Sequence, residues 1–425
     1  MQKHKKITLK NGLRIITIPQ PANVATTVLV LVETGSKYET KNISGVAHFL
    51  EHMCFKGTEK RPSARIIAGE LDGLGASYNA FTSHEYTGYY AKVENHKNAL
   101  ALDLIADLYL NPIFDQGEIE TEKGVVIEEL HMYADMPHRK IYDQFMHLLY
   151  GDQPAGWDIG GNEKLLRTLK RKDFLDFREK HYLPKATTLI IAGGFDEKKI
   201  LAQAKKLFAL MPAGVKGKKL AVKESQVKPA LSIHKKDSDQ THIRLGVRAF
   251  SMFDKDQYAL EVLSDILGGG MSSRLFHKVR EELGAAYYVR AEADLYTDHG
   301  YLAASVGVEH SKLKPVLEVI LAEFTRLKDE LVSKDELIRA KSHLSGNVLL
   351  GLETSDSLAV YYGTQEILKR KSATPEELLK KINAVTAKQI QAVAQKIFIP
   401  KNLNLAMIGP ITDPKPFKEI LAKFK

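Results

Sequence analysis

The feature that most constrains the fold is an internal repeat: YLPKATTLIIAG at residues 182–193 returns as FIPKNLNLAMIG at residues 398–409, with Pro184 and Pro400 216 residues apart. A chain of 425 residues exceeds one ordinary hydrophobic core, and the repeat indicates that one plan is used twice. Around each copy the same order of signals recurs: an apolar strand pattern (26–33 and 242–249), long helical patterns, then the repeated strand and a last helix. Strands and helices do not alternate in regular βαβ units. The expected class is therefore α+β, two homologous domains, each a mostly antiparallel sheet packed with helices. Between them, residues 211–230 are rich in Gly, Pro and Lys and lack periodicity. The expected boundaries are 1–213 for the first domain, 214–229 for a linker and 230–425 for the second domain.

Apolar residues at 44% and charged residues at 27% are the composition of a folded globular chain. No segment has the eighteen or so consecutive apolar residues of a membrane span, and Met1–Lys6 carries no apolar signal core. The expectation is a protein that neither crosses a membrane nor is exported. The single cysteine, Cys54, cannot form an internal disulfide, which agrees with a reducing compartment and an expected cytoplasmic location. The net charge of +9 comes from lysines scattered among nearly as many acids. Short clusters such as 216–219 and 369–371 have no recognition motif beside them, which argues against nucleic acid as a partner.

The two halves differ in chemistry, because only the first holds a His/Glu cluster. Residues 46–53 contain no helix breaker, and Ser44 is the expected N-cap. On such a helix His48 and His52 lie one turn apart on one face, so both imidazoles can reach one metal ion. Glu51 projects near that face as a base that need not be a ligand. The setting is otherwise apolar (Val46, Ala47, Phe49, Leu50, Met53), where polar side chains are costly unless paired or metal-bound. Two nitrogen ligands and a base are what metal-assisted hydrolysis requires.

A catalytic zinc site takes three protein ligands and leaves one position open. The helical pattern around 118–133 is the richest source of the third, offering Glu122, Glu128, Glu129 and His131. Glu122 and Glu129 are seven apart and share a face, with Glu128 about 100° away. Periodicity alone does not choose among them, and a solvated acidic face is the plain alternative.

The segment 45–58, GVAHFLEHMCFKGT, resembles the inverted zinc motif of the insulinase/pitrilysin metallopeptidases, in the branch similar to mitochondrial processing peptidase. The resemblance extends over essentially the whole chain. It implies that the third ligand is Glu129, 77 residues after His52, and that Glu122 supports the site from behind. In the segment 74–87, LGASYNAFTSHEYT, it implies that Asn79 and Ala80 contact the substrate backbone along a sheet edge. In the segment 267–287, LGGGMSSRLFHKVREELGAAY, it implies that Arg280 and Tyr287 hold the substrate and stabilise the oxyanion.

The resemblance also implies a clamshell of two halves and one Zn2+ per chain. Substrates would be peptides or unfolded polypeptide segments, cleaved internally with Glu51 as general base. It further implies a homodimer, or a heterodimer with a related chain. The alternative within the same family is a non-catalytic structural or partner subunit; such members typically lose one or more zinc residues, and this sequence retains the set.

Overall fold

The computed structural model describes residues 4–425. Its strands are β1 (Lys5–Thr8), β2 (Arg14–Pro19), β3 (Ala25–Val32), β4 (Ser77–Thr82), β5 (Thr87–Glu94), β6 (Thr187–Gly193), β7 (Ala230–Lys235), β8 (Thr241–Ala249), β9 (Ala286–Leu295), β10 (Gly300–Val308) and β11 (Leu403–Gly409). They form a six-stranded sheet in the order β1-β2-β6-β3-β5-β4 and a five-stranded sheet in the order β7-β11-β8-β10-β9. In the first sheet only β2 and β6 are parallel, and in the second only β7 and β11. The repeat in the sequence thus falls on equivalent strands, β6 and β11, each between a parallel and an antiparallel neighbour. The fold is α+β, as the sequence indicates.

Both sheets are apolar on both faces, and this decides which helices each one needs. In β3, Val28, Val30 and Val32 point into a core with Val46, Phe49 and Leu50. The alternate residues Leu29 and Leu31 point the other way, to Leu358, Ala359 and Tyr362. Those three lie on the helix Ser355–Lys369, from late in the sequence. The second sheet is covered on its corresponding face by Ile141, Phe145 and Leu149 of the helix Pro137–Tyr150, from early in the sequence.

The compact units are consequently not the two contiguous halves. One comprises residues 1–131, 157–220 and 350–373, and the other residues 132–156, 221–349 and 374–425. The expected boundaries at 213 and 230 miss this exchange, because an apolar strand face shows that a cover is needed but not which helix supplies it. Residues 211–229 carry neither helix nor strand. Among the described residues no helix is long and apolar enough to cross a membrane.

Candidate metal centre

The helix Val46–Met53 carries the two histidines. Its start differs from the sequence expectation: the N-cap is Gly45, at φ 96, and not Ser44. No N-cap side chain binds the first amides. The carboxylate of Glu39, from the preceding loop, accepts from the Gly45 and Ala47 N–H groups at 2.8 Å each. These oxygens satisfy donors that the helix itself leaves free, and burial pushes Glu39 up to about 8 against the opposing effect of those hydrogen bonds. Val46, Ala47, Phe49, Leu50 and Met53 are fully buried, and packing of that face rotates His48 and His52 to the opposite one. Their rings are 4.7 Å apart between centroids and inclined at 71°.

Opposite them runs the helix Gln116–Ala134. Oε2 of Glu129 lies 3.7 Å from Nε2 of His48 and 3.4 Å from Nε2 of His52. One donor atom from each of the three residues falls within 4.8 Å of the others. Donors around a tetrahedral zinc with bonds of about 2.0–2.2 Å stand roughly 3.3–3.6 Å apart, so the donor set fits such an ion in chemistry, and the two carboxylate–imidazole separations of 3.7 and 3.4 Å fit it in spacing. Glu122, two turns before Glu129, places Oε1 3.0 Å from Nδ1 of His52. Glu128 is exposed and pairs with His131, which also meets Glu163, so neither Glu128 nor His131 joins the cluster.

Electrostatics sort the three residues. Burial pushes His48 down to about 4, His52 adding to the effect and Glu129 opposing it. Burial also opposes charge on His52, but its hydrogen bonds to Glu122 and Glu129 outweigh that and hold it up at about 9. Burial raises Glu51 above the usual carboxylate range, against a hydrogen bond from Thr82. Glu51 lies in the wall of the cluster at 8% exposure.

Two neighbours escaped the sequence reading. Thr82, at the end of β4, donates its hydroxyl to Oε2 of Glu51 at 2.6 Å. Lys56 forms an ion pair with Oε2 of Glu122. Lys56 stands four residues after His52, a helical spacing that could have drawn attention to it, whereas no local pattern marks Thr82.

The remaining expected residues fall into two places. Asn79 and Ala80 lie on β4, which among the described residues pairs only with β5 and is an edge strand of the first sheet. Arg280 lies on a π-helical segment, Phe276–Glu282, and Tyr287 on β9. The Arg280 guanidinium stands 5.3 Å from the centroid of the Tyr287 ring, so these two are brought together within the second unit. Tyr287 is 80% exposed.

Comparison with known proteins agrees with this architecture. The model of the insulinase family, peptidase family M16, matches residues 14–162, and that of the peptidase M16 inactive domain matches residues 168–344. His48, Glu51, His52, Glu122 and Glu129 all lie in the first of these. A protein of Bacillus subtilis named as the uncharacterized zinc protease YmxG is 34% identical over 406 residues, covering 96% of this chain and 98% of its own. One of Rickettsia felis, also named an uncharacterized zinc protease, is 36% identical over 408 residues, covering 95% and 96%. A crystal structure of a protease from Helicobacter pylori superposes with a TM-score of 0.91 at 24% identity, covering 96% of this chain and all of the other. A structure from Pseudomonas fluorescens, described as a peptidase M16 inactive domain, superposes with a TM-score of 0.87 at 19% identity. These two structures share the fold. The chain belongs to the insulinase family, peptidase family M16.

Proposed function

We propose that this chain is a zinc-dependent endopeptidase that hydrolyses peptides or unfolded polypeptide segments. The observation that carries the reading is the convergence of His48, His52 and Glu129 donor atoms within 4.8 Å of one another, with the Glu51 carboxylate beside them. Zinc held by these residues would supply a Lewis acid and bring the pKa of water toward neutrality. Glu51 takes the proton from the water that attacks the scissile carbonyl and passes it to the leaving amine. Asn79 and Ala80 would meet the substrate backbone along the open edge of β4, where main-chain hydrogen bonds favour an extended peptide without demanding a sequence. Arg280 and Tyr287 would steady the substrate and the charge that develops on its carbonyl oxygen.

The test compares zinc-loaded wild type with zinc-loaded Glu51→Gln on a mixed peptide pool, read by mass spectrometry. The expected result is internal cleavage by wild type and none by the variant at equal zinc content. Cleavage by the variant at the wild-type rate would remove Glu51 from its role. Absence of cleavage by both, with zinc bound, would favour the alternative of a non-catalytic family member.

A further inference from the structure

A carboxylate that acts as a base has two oxygens and a broad, roughly two-fold terminal torsion. Left alone, it presents either oxygen over a range of angles. In this protein one of them is taken. The Thr82 hydroxyl donates to Oε2 of Glu51 at 2.6 Å, a short hydrogen bond between hydroxyl and carboxyl oxygens.

The donor is itself held from several sides. Thr82 pairs with Thr87 across β4 and β5. The turn that follows is closed by Ser83, whose N–H and hydroxyl both donate to the Tyr86 carbonyl, at 2.9 Å each. The Ser36 and Lys37 amides clamp this turn from outside, donating to the Ser83 and His84 carbonyls at 3.2 and 2.9 Å. Gly35 makes that approach possible, since a Cβ there would stand 2.0 Å from the Ser83 oxygen. One residue before Thr82, the Phe81 ring fills the space over Gly88, where a Cβ would lie 2.4 Å from Cζ. Thr82 therefore sits on anchored backbone, and its branched Cβ limits the directions its hydroxyl can take.

We propose that Thr82 is the positioning residue for Glu51: it binds Oε2 and leaves Oε1 as the one oxygen that accepts the proton. This rests on the reading of Glu51 as the base. It adds that the edge strand offered to the peptide and the base that acts on it are joined by one side chain, so that a peptide laid on β4 and the Glu51 carboxylate share one rigid frame.

The test uses the full-length, zinc-loaded protein with Thr82→Val, which keeps the shape and removes the hydroxyl, and Thr82→Ser, which keeps the hydroxyl. The first readout needs no substrate: the Glu51 carboxylate band in the infrared spectrum, assigned by subtracting the spectrum of Glu51→Gln. It should move in Thr82→Val and return to the wild-type position in Thr82→Ser. The second readout is steady-state cleavage. Loss of a hydrogen bond to a charged group should lower kcat in Thr82→Val by about 10- to 100-fold, with KM and zinc affinity unchanged and with Thr82→Ser close to wild type.

An unmoved band in Thr82→Val overturns the proposal, as does a wild-type kcat in that variant or a Thr82→Ser as slow as Thr82→Val. Loss of zinc or a lowered melting temperature in step with kcat would make Thr82 a structural residue and also overturn it. Failure of the broader reading looks different: wild type itself would cut nothing, and the positioning role would fall with the base.

Discussion

Nδ1 of His52 stands 3.0 Å from Oε1 of Glu122, while Nε2 of the same ring faces Glu129 at 3.4 Å. One imidazole is thus held from both sides by a single helix, through residues two turns apart. The carboxylate at Nδ1 fixes the ring orientation and tautomer and makes Nε2 a better donor to a metal. Glu122 is 3% exposed, and the ion pair with Lys56 accounts for its second oxygen.

Removing this support should weaken metal binding without touching a ligand. Glu122→Leu is expected to lower zinc affinity by about 10- to 100-fold, measured by competition with a chromophoric chelator. Glu122→Gln retains an acceptor for Nδ1–H and should lose less. A Glu122→Leu variant that holds zinc as tightly as wild type would show that Glu129 and the ring packing suffice.

How much of this was legible in the sequence depends on whether the signal is local. The pairing of His48 with His52 follows from helical spacing, and the match of β6 to β11 from the repeat. The spacing of Glu122 and Glu129 identified a pair on one face but not which member would reach the histidines; the resemblance selected Glu129, and the geometry brings that residue to them. Glu39 was not legible as the cap of the histidine helix, because it acts from six residues before Gly45 rather than from the N-cap position. Thr82 was not legible either, because a threonine ending a strand looks the same whether its hydroxyl meets water or a carboxylate.

The exchanged helices were hidden for a similar reason, and Gly363 offers a way to test them. It lies on the helix Ser355–Lys369, where a Cβ would stand 2.7 Å from Leu31 Cδ1 and 2.9 Å from Ile190 Cδ1. The helix rests on the sheet of the first unit through this gap. Gly363→Val should therefore overpack the face and destabilise the protein by about 1–3 kcal/mol, read as a lower urea midpoint. A helical site such as Gly346, where nothing lies within 4 Å of a Cβ, should tolerate an alanine. Equal effects at the two positions would contradict the packing.

Acid should weaken the first unit through His181. The ring is buried, with Tyr38 and Phe177 against it, and burial, reinforced by Lys180 and Lys216, pushes it down to about 4. The folded value lies below the ordinary histidine value of 6.5. The unfolded chain therefore takes up the proton first as pH falls, and stability present above pH 6.5 is lost progressively toward pH 4. The full loss is at most about 3 kcal/mol. Urea midpoints at pH 7.5 and 5 should differ in wild type by more than in His181→Asn, whatever the absolute stability of that variant. Equal slopes would exclude His181 as a source of the acid sensitivity.

Glu39 links the stability of the histidine helix to its chemistry. Its two oxygens accept the Gly45 and Ala47 amides, and Gly45 cannot easily be replaced, because it adopts φ 96 and a Cβ there would stand 2.7 Å from the Gly160 oxygen. Glu39→Leu would leave two buried donors without an acceptor, which costs about 2 kcal/mol or more. The same change would loosen the first turn, which carries His48, so zinc affinity should fall together with the urea midpoint. In Glu39→Gln one side-chain oxygen remains and can still accept one amide, so both losses should be smaller. If the midpoint falls in Glu39→Leu while zinc affinity holds, the first turn is not what keeps His48 in place, and the packing of Phe49 and Leu50 must set the ligand positions alone.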